Sequence, residues 1–244
     1  MVIADRFKSR PGAETVRLPS GGEMTLAVEH AAAILVNEQT AFRVVCTPEL
    51  LPQLALGRLL TEGWITCADE VEQIAVCAEG LKVSVHLTHP LETAAAGQEV
   101  PSCCTDNLTV ASPVKLRPLA PVPQREIPDE WVETLAAAMG DELPLYRATH
   151  AVHSCFVLRD GKILYQCEDL GRHNALDKAV GCALAEGVQL GQCVLYTSGR
   201  VPVDMVRKAI RAGVPALVSK SMPTVQSLEL AEEYGLKLFI RQKK

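Results

Sequence analysis

The sequence predicts an α/β protein, and three observations carry that reading. From residue 151 onward, short apolar runs alternate with stretches of helical period. That alternation is the pattern of a mostly parallel sheet with helices on both faces. Before residue 113 the apolar runs mostly follow one another with turn-like polar residues between them, which reads as a mainly β region. Between the two lies Pro113 to Pro128, with five prolines in sixteen residues, an extended linker. The expected organisation is an amino-terminal α+β region over 1–112, a linker over 113–128 and an α/β domain over 129–244.

The elements follow in order. The first 20 residues are polar and without periodicity, so they are expected to fray. Met24–Val28, Ala32–Asn37 and Ala41–Thr47 read as three strands. Pro48 suits a first helical turn, and the helix it opens carries Leu54, Leu56, Leu59 and Leu60 and ends near Gly63. Strands are expected at Val71–Cys77 and Lys82–Leu87, turned at Glu79-Gly80. After the linker comes a helix from Asp129 to about Gly140, then strands Ala151–Leu158 and Lys162–Cys167. A helix from Arg172 to about Glu186 has Leu176, Ala179, Val180 and Ala183 on one face. The chain then gives strand Cys193–Thr197, helix Val203–Ala212, strand Ala216–Ser219, helix Val225–Tyr234 and strand Lys237–Ile240.

Composition limits the function. The 244 residues are 48% hydrophobic, enough for a full core without covalent staples. Net charge is −5 and aromatic residues make up 4%, which leaves neither a basic stripe nor base-stacking platforms for nucleic acid. No apolar run approaches the roughly 20 residues that span a bilayer. Met1 to Lys8 lacks a signal-peptide core, so a cytoplasmic location is expected. Nine cysteines lie at 46, 67, 77, 103, 104, 155, 167, 182 and 193 with no Cys-x-x-Cys pair, and most fall in apolar segments as small buried side chains.

The densest chemistry is in Glu168-Asp-Leu-Gly-Arg-His-Asn-Ala-Leu-Asp-Lys178, where a strand hands over to a helix. Free N–H groups and the positive end of the helix dipole at that point suit an anion. His173 and Asp177 share a helix face, as do Asn174 and Lys178. Taken singly, Asp169 reads as a cap and Asp177 as solvated surface; taken together, the cluster reads as a site. Two later loops, Thr197-Ser-Gly-Arg200 and Ser219-Lys-Ser-Met-Pro-Thr224, also join a strand to a helix. Ligands of open α/β sheets bind beyond the carboxyl ends of strands, and Arg172, Arg200, Lys220 and the hydroxyls would line such an edge for phosphate. Ser198 and Thr224 read equally well as helix caps. No standard phosphate loop is present.

Ser102-Cys103-Cys104-Thr105-Asp106 reads as a loop. An accessible loop thiol suits a nucleophile or sulfur carrier, but spacing alone favours two unreactive thiols. His150 and His153, read at the start of a strand, lack the carboxylate or cysteine pair that would complete a metal site, and no metal is expected.

Together, Glu168-Asp-x-Gly-Arg-His-Asn-Ala-Leu-Asp-Lys178, Ser198-Gly-Arg200 and Ser221-x-Pro-Thr224 resemble the FdhD family of formate dehydrogenase accessory sulfurtransferases. Val36-Asn37, Thr47-Pro48 and Leu54-Ala-x-Gly-x-Leu-Leu-x-Glu-Gly63 resemble its amino-terminal signature. The resemblance runs from about Glu29 to Arg241. It implies a three-layer, cytidine-deaminase-like core without the deaminase zinc site, and a homodimer. It implies a sulfur carrier that takes persulfide sulfur from a cysteine desulfurase. The sulfur passes to the bis-molybdopterin guanine dinucleotide form of the molybdenum cofactor before insertion into formate dehydrogenase. It maps the family's carboxy-terminal cofactor segment onto Phe239, Ile240, Arg241, Gln242, Lys243 and Lys244, beside Arg172, His173, Asp177, Ser198, Arg200, Ser221 and Thr224.

Two departures stand out. The family's Cys-Gly-x-Cys-Gly loop reads Ser102-Cys-Cys-Thr-Asp106 here, which leaves Cys103 or Cys104 as the carrier. Its Thr-Gly-Gly-x-His reads Thr149-His-Ala-Val-His153, which changes how closely the backbone can approach a ligand. Two other readings stay open on these residues. One is a cofactor-binding chaperone without sulfur transfer. The other is a nucleotide-modifying enzyme using His153, His173 and Asp177 as acid–base groups.

Overall fold

The computed structural model describes residues 1–92, 108–109, 114–138 and 143–241. The strands are β1 (Val2–Asp5), β2 (Ala13–Arg17), β3 (Glu23–Ala27), β4 (His30–Val36), β5 (Gln39–Cys46), β6 (Val71–Val76), β7 (Lys82–Leu87), β8 (Leu108–Thr109), β9 (His153–Arg159), β10 (Lys162–Asp169), β11 (Val194–Thr197), β12 (Ala216–Ser219) and β13 (Lys237–Ile240). The helices are α1 (Leu51–Thr61), α2 (Asp129–Ala138), α3 (Pro144–Thr149), α4 (Arg172–Ala185), α5 (Val203–Ala212) and α6 (Val225–Glu233). The fold is mixed α/β, as the sequence predicts.

The amino-terminal sheet has the order β1-β6-β7-β4-β5-β8, and β2-β3 form a separate hairpin. The expectation that the first 20 residues fray is overturned. β1 lies parallel to the edge of β6 and β2 pairs with β3. These strands are mostly exposed, so they carry no core-facing apolar period. Backbone hydrogen bonds, which every non-proline residue offers, hold them. The turn between β4 and β5 is two residues long, with Asn37 and Glu38 both at positive φ, the backbone that suits a tight hairpin. Asn37 also accepts from the Leu87 N–H at 2.9 Å and donates to the His89 carbonyl at 3.1 Å.

The carboxy-terminal sheet has the order β10-β9-β11-β12-β13. It is mixed rather than mostly parallel. β9 runs antiparallel to both neighbours, while β11, β12 and β13 are parallel. The cause is the tight Asp160-Gly161 hairpin, both residues at positive φ, which returns the chain directly into β10. One face of this sheet, with Phe156, Leu158, Val194, Tyr196 and Val218, packs on Trp131, Val132 and Leu135 of α2. The other face packs on α4 and α5 in a second core that continues through α1 to the amino-terminal sheet. That apolar cluster spans both sides of the proline-rich stretch. The stretch itself is extended and is strapped by Arg117 N–H to the Gly63 carbonyl and by Val122 N–H to the Tyr234 carbonyl.

Two further expectations shift. α1 opens at Leu51, not Pro48, behind Leu50 in the left-handed region, and Pro52 takes the first turn. The Thr47 N–H is held by the Asp169 carboxylate at 3.0 Å, which keeps the chain before Pro48 out of the helix. α3 is an unexpected short helix; His150 closes it at positive φ, and only His153 enters β9.

α1 and α4 cross at backbone contact. A Cβ at Gly57 would overlap the Asp177 carbonyl oxygen, and one at Gly181 would overlap the Gln53 carbonyl oxygen. Backbone atoms at both points leave no flexible side chain to yield. Gly181→Ala is therefore expected to cost about 3 kcal/mol or more by forcing the helices apart. Urea unfolding measures it, and a loss under about 0.5 kcal/mol, the range of neutral surface changes, would contradict the crossing.

Candidate functional site at the carboxyl edge of the second sheet

Because β10, β11, β12 and β13 all point the same way, their carboxyl ends share one edge. The register places Asp169 opposite His153, Thr197 opposite Cys155 and Ser219, and Ser219 opposite Ile240. The motif beginning at Glu168 and the two later loops meet there. The loops are stitched together: Ser221 Oγ donates to the Ser198 carbonyl at 3.0 Å, Lys220 N–H to the Thr197 carbonyl at 3.1 Å, and Val201 bridges Pro223.

Below the rim lies a sealed clamp. Asp169 and Lys178 are both completely buried, with Nζ 2.6 Å from Oδ2. The other carboxylate oxygen accepts from the Gly171 N–H at 3.0 Å and from Asn174 Nδ2 at 2.9 Å. Thr47 donates its N–H to Asp169, and its carbonyl accepts from Lys178 at 3.2 Å. Asn174 also donates to the Val45 carbonyl at 2.8 Å. The shared helix face of Asn174 and Lys178 thus grips one carboxylate rather than a ligand. Glu168 caps α3, accepting from the Leu145 and Tyr146 N–H groups at 3.0 and 2.7 Å.

At the rim, Arg172 opens α4 and lies against Gly199, where a Cβ would come within 2.7 Å of its side chain. Its Nε is buried without a hydrogen-bond partner among the described residues. His173 Nε2 sits 2.8 Å from Asp204 Oδ2 at the start of α5. Burial pushes the Asp204 carboxyl up, but the hydrogen bond and charge of His173, with Arg172 nearby, hold it below its ordinary value. His153 Nδ1 is 3.5 Å from Ser198 Oγ, and that hydroxyl accepts from the Ser154 N–H at 2.9 Å. Burial lowers the His153 pKa, and the charges of Arg172, His173 and Arg200 lower it further. The rim therefore gathers Arg172, His173 and Arg200 about an imidazole whose pKa is held below its ordinary value, with Asp204 as the carboxylate partner of His173. The two arginines suit it to an anionic group.

Arg200 is exposed at this rim, and Ile240 and Arg241 close its far end. Thr224 caps α6 in a reciprocal box with Ser227, so its hydroxyl is already engaged. Phe239 packs on the α2 side of the sheet. Asp177 does not join His173. It is fully buried beneath α1, accepting from Thr61 Oγ1 at 2.6 Å and from Lys208 Nζ at 2.9 and 3.0 Å, with Arg58 3.7 Å away. Helical spacing put the two residues on one face, but α1 and α5 supplied different partners. Cys103, Cys104, Gln242, Lys243 and Lys244 lie outside the described residues. Sequence reasoning missed Asp204 and Lys208, whose only local signal was charge on an amphipathic helix. Among the described residues no three His, Cys, Asp or Glu side chains converge as metal ligands, and no helix is long and apolar enough to cross a membrane.

Residues 27–244 match the model of the FdhD/NarQ family. The sulfur carrier protein FdhD of Bacillus subtilis is 30% identical over 220 residues, covering 88% of this chain and 83% of that protein. The protein of the same name from Nocardia farcinica is 33% identical over 253 residues, covering 91% and 86%. A crystal structure of a protein assigned as a formate dehydrogenase accessory protein, from Desulfotalea psychrophila, superposes with a TM-score of 0.72 at 27% identity. It covers 95% of this chain and 91% of that one.

The clamp sets two expectations. Lys178→Met leaves the Asp169 charge buried beside neutral donors only, which should cost about 3–5 kcal/mol in urea unfolding; an unchanged midpoint would mean that the pair contributes nothing. In the neighbouring cluster, Glu62 lies 2.8 Å from Lys208. Burial pushes its carboxyl up, but the Lys208 and Arg58 charges outweigh burial and bring it from 4.5 down to about 2. A lowered pKa stabilises the fold above the ordinary value and loses that contribution as pH falls toward the folded value. Wild-type stability should therefore drop between about pH 4.5 and 2, and Glu62→Gln should flatten that drop in a pH series of urea midpoints.

Proposed function

The chain belongs to the FdhD/NarQ family, and on that premise we propose that it is a sulfur carrier for the maturation of a formate dehydrogenase. A thiolate of Cys103 or Cys104 attacks the outer sulfur of a cysteine desulfurase persulfide. One S–S bond forms as the other breaks, and the desulfurase thiolate leaves. The outer sulfur would then pass to the bis-molybdopterin guanine dinucleotide cofactor, held as cargo before it enters the dehydrogenase. The carrier S–S bond breaks, the carrier thiolate leaves, and a thiol-class reductant supplies the two electrons that take the sulfur to the sulfide level.

The observation that carries this reading is the rim, where Arg172, Arg200 and His173 gather around His153 at the first turn of α4. Phosphate-bearing cargo suits this arrangement for three reasons. The start of α4 supplies the positive end of its helix dipole. Arg172 has a buried Nε in need of an acceptor. Gly199 lets the Arg172 stem lie flat on the loop after β11. Ser198 and Ser221 hold the two loops at fixed spacing, and Arg241 extends the charged edge toward the carboxy-terminal segment. The nucleotide-modifying alternative is weakened because Asp177 is sealed in its own ion cluster, away from His173 and His153. In this reading the chain acts in the cytoplasm as a homodimer.

Two measurements test the proposal. Mass spectrometry after incubation with a cysteine desulfurase and cysteine should show one added sulfur on the peptide holding Cys103 and Cys104. The double Cys103→Ala/Cys104→Ala chain should take up none and should fail to restore formate dehydrogenase activity in a cell lacking its own accessory protein. Restored activity in that variant would instead support a chaperone without sulfur transfer. Guanosine diphosphate should raise the melting temperature of the wild-type chain, and Arg172→Ala should weaken that binding about tenfold or more, the worth of a charged hydrogen bond.

A further inference from the structure

Cys167 and Cys182 flank the Glu168–Lys178 motif on its two sides. Cys167 is buried in β10, and Cys182, half-buried, sits in α4 where that helix packs on β10. Their sulfurs are 4.0 Å apart and share a hydrogen bond. No other two cysteines among the described residues have sulfurs in such contact, and all of the described cysteines are free thiols. Cys155 lies opposite Cys167 in the β9–β10 pairing, but its thiol is fully buried and burial raises its pKa. Burial likewise pushes Cys46 up to about 12 and Cys193 to about 11, away from the reactive thiolate.

We propose that Cys167 and Cys182 form a reversible oxidation site that takes a peroxide-class oxidant and closes into a disulfide joining β10 to α4. The two sulfurs divide the work. Cys182 has the more solvent, and once it is ionised the Cys167 S–H is placed to donate to its thiolate. That hydrogen bond and the Lys178 charge outweigh burial and Glu186 to lower the Cys182 pKa, while Cys167 is raised by the same bond and by burial. The Cys182 thiolate attacks one peroxide oxygen; an S–O bond forms, the O–O bond breaks and hydroxide leaves, so the sulfur is oxidised by two electrons to a sulfenic acid. The Cys167 sulfur then attacks the Cys182 sulfur. The S–S bond forms, the S–O bond breaks, and the oxygen departs as water with the thiol proton. Closure needs the sulfurs to approach from 4.0 Å to roughly 2 Å, a shift that rotation of the two side chains shares.

The enclosed loop holds Asp169, Arg172, His173 and Lys178. The disulfide would therefore tie β10 to the last turn of α4 and close a covalent loop around the rim motif under oxidising conditions. The site stands apart from the sulfur-carrier reading, because neither Cys103 nor Cys104 takes part.

The test is peptide mapping without reductant after treating the folded chain with hydrogen peroxide and blocking remaining thiols with an alkylating agent. The expected result is a Cys167–Cys182 cross-linked peptide that disappears on addition of dithiothreitol. The Cys103→Ala/Cys104→Ala chain should form the same cross-link, so the outcome does not depend on which residue carries sulfur. Cys167→Ala should leave a Cys182 sulfenic acid that dimedone captures. The proposal is overturned if both cysteines of the wild-type chain are alkylated on unfolding after a dose that oxidises a control thiol peptide. It is equally overturned if Cys182 proceeds to sulfinic acid while Cys167 stays reduced.

Discussion

The buried Asp169–Lys178 ion pair is the constraint on which the rest of the molecule rests. An ion pair removed from water is tolerable only when its remaining donors and acceptors are satisfied. Here Gly171, Asn174 and Thr47 satisfy them. Those three partners come from the strand-to-helix turn, the first turn of α4 and the end of β5. One set of electrostatic contacts therefore fixes where α4 starts, how the chain leaves β5, and how the amino-terminal sheet sits against the carboxy-terminal one. The residues most readily taken for ligand contacts are spent on holding the site in place.

That arrangement sets the first turn of α4 at the carboxyl edge of the sheet. With Asn174 and Lys178 turned inward, Arg172 and His173 remain at the edge, where the loops after β11 and β12 supply Ser198, Arg200 and Ser221. The glycine crossing of α1 and α4 does the complementary job. It brings Asp177 under α1, within reach of Thr61, Arg58 and Lys208, and so fixes the axis of the helix whose start forms the rim. Each buried charge is matched by an opposite one from a different element, so rim geometry and core stability are coupled through α4.

Much of this was legible in the sequence, because strand and helix periods and the local ordering of polar residues are short-range properties. The helix over Val203–Ala212 and the strands at Ala216–Ser219 and Lys237–Ile240 have the predicted bounds. The parallel direction of β11, β12 and β13 brought the motif and both loops to one edge, as the strand-to-helix spacing implied. The frayed amino terminus failed as a prediction because an edge strand needs only backbone partners. The mostly parallel sheet failed because a two-residue turn reversed the chain between β9 and β10.

By itself, then, the sequence determined the α/β class, the order of most elements and the family to which the chain belongs, since these depend on local pattern and on motifs contiguous in the chain. Only the tertiary structure decided which polar groups of the motif face inward. Asp169, Asn174, Asp177 and Lys178 find their partners in Thr47, Val45, Thr61 and Lys208, residues far away in the chain. A helix face specifies a direction but not what lies there. Whether a carboxylate meets a lysine, a threonine or solvent is settled when distant segments pack, because burial makes an unpaired charge too costly to keep.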